Sequence, residues 1–104
     1  MTPQKETTHT YTLIDNLVEL LPEISEDTIV SRSIHQDGQL KAILFGFAPG
    51  QELSEHTAAR PAILHFLQGE AELKLGQDSF AAEPGTWAHM EAHLPHSIVA
   101  KSEV

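Results

Sequence analysis

Seven histidines in a chain of 104 residues are a generous supply of side chains that titrate near neutral pH and bind metal through a neutral ring nitrogen. Five of them, His56, His65, His89, His93 and His96, fall in the second half. Cysteine is absent, so disulfides, thiol chemistry and thiolate metal sites are excluded, and any ion must be held by histidine, carboxylate or water. His9 lies in a polar stretch and His35 beside a turn, the ordinary settings of solvated histidines. Which of the other five meet depends on the elements that carry them.

The chain has room for one core and no separate second domain. Apolar residues make up 40% and charged residues 20%, as in ordinary globular domains. Residues 1–12 form a polar, threonine-rich arm, and residues 13–104 make one domain. Ile14, Leu17, Val18 and Leu21 recur at helical spacing, Asp15 or Asn16 can cap the start, and Pro22 prevents continuation, which predicts one short N-terminal helix over an end of the fold. Residues 28–34 and 40–48 read as strands joined at Asp37-Gly38, a pair suited to a two-residue turn with positive φ. Pro49-Gly50 ends the second strand, and residues 51–55 are polar enough to read as loop.

Residues 62–67 are a continuous apolar run broken by His65, while Ala71, Leu73 and Leu75 alternate with Glu72 and Lys74 as in a strand with one wet face. Residues 79–82, 86–90 and 97–100 complete the set. Short strands with turns at this spacing predict an all-β fold, a small antiparallel barrel. Residues 42–48 and 62–67 are apolar on both alternating faces, which calls for a covering partner, and a second copy in a homodimer is the simplest one. Ile43, Phe45, Ile63 and Leu67 are the residues expected in that contact. The polar end Lys101-Ser102-Glu103-Val104 closes a barrel poorly, so residues 8–13, from the same or a neighbouring chain, are expected to pair the edge left after Ala100.

Two runs carry a family resemblance. Gly50-Gln-Glu-Leu-Ser-Glu-His56 with Ala62-Ile-Leu-His-Phe-Leu-Gln-Gly69 resembles the first cupin motif, and Pro84-Gly85-Thr-Trp-Ala-His-Met-Glu-Ala-His-Leu-Pro95-His96 resembles the second. The likeness covers about residues 29–100 and points to a small single-domain, conserved-barrel cupin: a double-stranded β-helix, or jelly roll. It implies that His56 and His96 stand at the two histidine ends of a metal-binding motif, with one divalent transition metal (nickel, iron or zinc) as cofactor. The motif is degenerate: Ala58 stands at the second histidine position and Ala62 at the glutamate position, while Glu91 and His93 replace the proline and glycine that lead into the last histidine.

Zinc enzymes keep three protein ligands and the non-haem iron triad needs two histidines and a carboxylate, so His56 and His96 alone hold metal weakly. Candidates for a further ligand are Glu91 and His93, then Glu52, Glu55 and His89. His65 lies an odd number of positions from Ala62 and is expected to face outward. Phe66 and Trp87, with Glu91 and His93, are the expected pocket residues.

The leading expectation is a barrel-interior pocket, centred on the two histidines, that binds a small molecule and a weakly held divalent metal. The alternative is a metal-dependent isomerase, decarboxylase or dioxygenase acting on a small oxygen-bearing substrate. Fifteen acidic against six basic residues give a formal charge of −9, which repels phosphate backbones and anionic lipid, so neither nucleic acid nor membrane is an expected partner. With no apolar run near the roughly 20 residues of a membrane span and no apolar leader in the first residues, the expected location is the cytoplasm.

Overall fold

A computed structural model describes residues 10–21 and 23–104. It holds eight strands: β1 (Ile29–Gln36), β2 (Lys41–Phe47), β3 (Glu52–His56), β4 (Ala62–His65), β5 (Ala71–Leu75), β6 (Asp78–Ala82), β7 (Trp87–Met90) and β8 (His96–Ala100). They form three antiparallel groups: a β1–β2 hairpin, a four-stranded sheet in the order β3-β8-β5-β6, and a β4–β7 pair. The all-β barrel expected from the strand spacing is the architecture found. Its core is Phe47, Phe66, Ala71, Leu73, Ala82, Ile98 and Ala100.

Four expectations change. The short helix is a single 3-10 turn, Leu17–Leu20, capped by the Asn16 side chain accepting from the Val18 N–H at 3.2 Å. Its apolar spacing serves packing instead of helix length: a Cβ added at Gly46 would meet Ile24 Cδ1 at 2.6 Å and Leu21 Cδ1 at 2.9 Å. The residues around the turn therefore lie against the outer face of β2, and its second apolar face is covered by the same chain. Residues 51–55, read as loop, contribute most of β3; this edge strand is polar because it is wet, and β8 supplies its ladder.

The β1–β2 turn is not the positive-φ pair expected, since neither Asp37 nor Gly38 has positive φ. Instead the Asp37 carboxylate accepts from the Gln39 and Leu40 N–H groups, both at 2.7 Å, and from His35 Nε2 at 2.9 Å. The His35 hydrogen bond, followed by the two backbone N–H groups, lowers the Asp37 carboxyl from 3.8 to about 2. Finally, residues 10–13 form no strand. The remainder of the expected arm, residues 1–9, lies outside the described residues.

The chain end is tied down by close backbone approach. Lys101 N–H donates to the Glu70 carbonyl at 2.8 Å, and Gly69 has φ +76 at a point where a Cβ would collide with the Glu103 carbonyl. Val104 and Phe47 exchange both backbone hydrogen bonds, at 3.0 and 2.7 Å.

Candidate ligand-binding site

β3 and β8 pair with His56 directly opposite His96. An irregularity between Leu53 and His56 changes the register just before the pair, as a bulge does when it re-aims a side chain. The ring centroids are 4.2 Å apart, inclined at 57°. His96 begins an alternation that buries itself, Ile98 and Ala100 on the inner face of a central strand; it is 6% exposed. His56 ends an edge strand and is exposed.

The two rings share one tautomer-setting contact. Nδ1 of His56 lies 2.9 Å from the Ser54 carbonyl, and Nδ1 of His96 lies 2.9 Å from the Leu94 carbonyl. A carbonyl only accepts, so each neutral ring carries its proton on Nδ1 and keeps the Nε2 lone pair. Among the described residues neither Nε2 has a hydrogen-bond partner. Both histidines line a cavity of about 420 Å³ with Phe45, Phe47, Leu64, Phe66, Met90 and Ile98. The result is an apolar chamber with two proton-accepting nitrogens at one side.

Of the residues singled out in the sequence, His56, His96 and Phe66 meet at this cavity, and Ala58 and Ala62 also line it. Trp87 does not: it is 58% exposed, because β7 turns Ala88 and Met90 inward and leaves Trp87 and His89 outside. The same alternation exposes Ile63 and His65 on β4, opposite His89 and Trp87, although His65 still borders the cavity. Glu91 and His93 are exposed in the loop before β8 and do not line the chamber.

His93 has φ +69, the left-handed conformation that glycine adopts most readily, and its N–H donates to the Ala58 carbonyl at 2.7 Å. Its backbone thereby ties the β7–β8 loop to the segment after His56. The inward face of β7, which brings Met90 to the cavity, was readable from alternation in step with Ala88, and Phe47 from its place in step with Ile43 and Phe45; both were missed.

The donor set tests the implied metal. Among the described residues no group of three or more histidine, cysteine, aspartate or glutamate side chains could hold an ion. Glu52 and Glu55 are exposed on β3, and alanines occupy the two remaining motif positions. The residues present do not fit a tightly held metal ion.

The sequence matches no protein-family model and no curated protein. Solved structures do match. A cupin superfamily protein from Desulfitobacterium hafniense is 26% identical, with a TM-score of 0.79 over 95% of this chain and 88% of that one. A cupin 2 conserved barrel domain protein from Leptotrichia buccalis is 30% identical, with a TM-score of 0.76 over 85% of this chain and 42% of that one. KdgF from a Halomonas species shares the fold at 23% identity, with a TM-score of 0.72 over 82% of this chain and 78% of that one.

Proposed function

For this chain, which is a barrel of the cupin fold, we propose the function of binding a small, largely apolar molecule that carries a polar oxygen-bearing group. The observation that carries the reading is the pairing of two unpartnered Nε2 atoms at one side of an apolar cavity of about 420 Å³. That volume lies within the range of about 300–1,000 Å³ typical of small-molecule sites, where apolar walls supply area and a few polar groups fix orientation. A hydroxyl or a protonated carboxyl donates to Nε2; once an imidazole is protonated, a carboxylate is accepted in its place.

The rival reading is a metal-dependent isomerase, decarboxylase or dioxygenase. It requires a donor set of three or more, and the two imidazoles supply only two. They form at most a weak, strongly pH-dependent metal site, since protons compete for the same lone pairs. No helix among the described residues is long and apolar enough to cross a membrane. The cytoplasm is the location this reading takes, as a setting in which a chain free of cysteine is ordinary.

The test is titration of the metal-free protein with small aliphatic alcohols and carboxylic acids, followed by NMR of the imidazole nitrogens. Binding should shift the Nε2 signals of His56 and His96 together and leave His35 and His89, which do not line the cavity, unmoved. Replacing His96→Ala should abolish the response. Binding that shifts neither Nε2, or that survives His96→Ala, would remove the pair from the site.

A further inference from the structure

The charges around the cavity run against the composition of the chain. Aspartate and glutamate number fifteen against six lysines and arginines, yet among the described residues no acidic side chain lines the cavity and one cation, Lys41, does. The other hydrogen-bonding side chains in its wall are those of His56, His65, His96 and Gln68. An acidic protein thus surrounds a chamber whose walls carry no carboxylate side chain.

Lys41 belongs to the cavity by its place on β2. Lys41, Ile43, Phe45 and Phe47 alternate onto one face of the strand, and all four line the cavity. Phe47 is buried at one end of this row, Ile43 and Phe45 are partly open, and Lys41 is exposed at the other end. The row therefore leads from the core to the mouth, over a strand length of about 20 Å. The aliphatic stem of Lys41 extends the apolar wall, and its ammonium stands at the rim.

That ammonium has no counter-charge of its own. Among the described residues the ion pair formed is between His35 and Asp37, and Lys41 takes part in none. Its cross-strand partner is the uncharged Gln36. The acid nearest to it in sequence, Asp37, is held by His35 and by the Gln39 and Leu40 N–H groups.

We propose that the ligand is an apolar monocarboxylate that also carries a hydroxyl group, with its carboxylate paired to Lys41 and its hydroxyl donating to the Nε2 atoms of His56 and His96. The proposal rests on the reading of the cavity as a small-molecule site and adds the charge of the ligand and the residue that selects it. The two ends are read by different strands: β2 supplies the ammonium, and β3 and β8 supply the imidazoles. An imidazole whose Nδ1–H is committed to a carbonyl offers a lone pair, which repels a carboxylate and accepts from a hydroxyl, whereas an ammonium only donates. A single ammonium balances one negative charge, which favours a monoanion over a phosphate dianion in a protein of formal charge −9.

Probes of one chain length test this on the full chain by calorimetry at about pH 8, where a carboxylic acid is ionised and an alkylamine is protonated: n-octanol, octanoate, ω-hydroxyoctanoate and octylamine. The natural chain should bind ω-hydroxyoctanoate most tightly and octylamine least. Lys41→Met keeps the apolar stem and removes the charge; it should weaken both carboxylates by roughly two- to fivefold, the scale of an exposed ion pair, and leave n-octanol unchanged. Lys41→Glu should invert the order, so that octylamine binds better than octanoate. Both variants should melt as the natural chain does, in keeping with the exposed position of Lys41. Octanoate that binds equally to the natural chain and both variants, or n-octanol that weakens along with it, overturns the assignment of Lys41. If n-octanol binds and moves the Nε2 signals of His56 and His96 while the carboxylates ignore Lys41, this inference fails and the pocket reading stands. If n-octanol neither binds nor moves them, the pocket reading fails and takes the inference with it.

Discussion

The two walls of the barrel are built to different standards. In the sheet β3-β8-β5-β6 the central strands are paired on both sides, and Leu73, Ala100 and Ala71 are at most 2% exposed. The other wall is two separate strand pairs, β1–β2 and β4–β7, with Phe45, Ile63 and Trp87 between 42% and 58% exposed. Both imidazoles come from the complete wall, at the meeting of β3 and β8, while β4 of the incomplete wall brings Ala62 where the cupin motif places its glutamate. The difference teaches that rigidity and donor chemistry reside on one side of this cavity, and that the other side contributes shape and apolar surface.

Restoring the missing donors is the change with the largest expected effect. Ala58 and Ala62 both line the cavity that His56 and His96 line, so Ala58→His/Ala62→Glu adds two potential ligands to its wall. Binding of nickel or zinc should tighten by on the order of a hundredfold or more, since loss of even an outer-shell partner shifts metal affinity about 10–100-fold. Adding His56→Ala should cancel most of the gain. Calorimetry that finds the natural chain binding as tightly as the double variant would show a third native ligand, and Glu91 and His93 would be examined first.

The next effect compares the walls by stability. Leu73 is 1% exposed in the centre of the complete sheet, and Leu73→Ala should cost about 2–5 kcal/mol through lost transfer energy and the cavity left behind. Trp87→Ala on the incomplete wall removes a larger side chain, but one that is mostly in water, and should cost about 1 kcal/mol or less. Urea unfolding of the two variants checks the ranking. A Trp87 cost equal to that of Leu73 would mean that the outer face of β7 is covered in solution.

The smallest effect concerns the turn of the incomplete wall. Because folding lowers the Asp37 carboxyl from 3.8 to about 2, its contribution is present above about pH 4 and is lost as pH falls through about 2. The natural chain should therefore melt slightly higher than Asp37→Asn near neutrality, with the gap closing between pH 4 and 2. A gap that persists unchanged at pH 2 would assign the turn's stability to something other than this carboxylate.

The sequence made the complete wall the easier one to read. Ala71, Leu73 and Leu75 alternate cleanly because one face is core and the other water, and Gly50 and Gly69 frame the first motif at backbone positions with positive φ. Edges were harder. β3 carries Glu52, Ser54 and Glu55 in a strand that owes its existence to β8, so no local apolar pattern announced it. The spacing of Ile14, Leu17, Val18 and Leu21 looked helical, yet the packing of Leu21 against β2 requires only one tight turn. Trp87 was placed in the pocket for its size, although the parity argument that put His65 outside puts Trp87 outside as well. The exposed apolar side chains Ile43, Phe45 and Ile63 were legible only as an apolar surplus on residues 42–48 and 62–67, because sequence alone does not say which strands pair.

The central claim is that two imidazoles from one wall present bare Nε2 atoms to an apolar chamber. Long-range proton–nitrogen NMR of the histidine side chains measures this directly, at a pH where both rings are neutral. His56 and His96 should each show a protonated Nδ1, held by the Ser54 and Leu94 carbonyls, and an unprotonated Nε2. Protonated Nε2 atoms on both rings would contradict the account, because the cavity would then meet two donors in place of two acceptors.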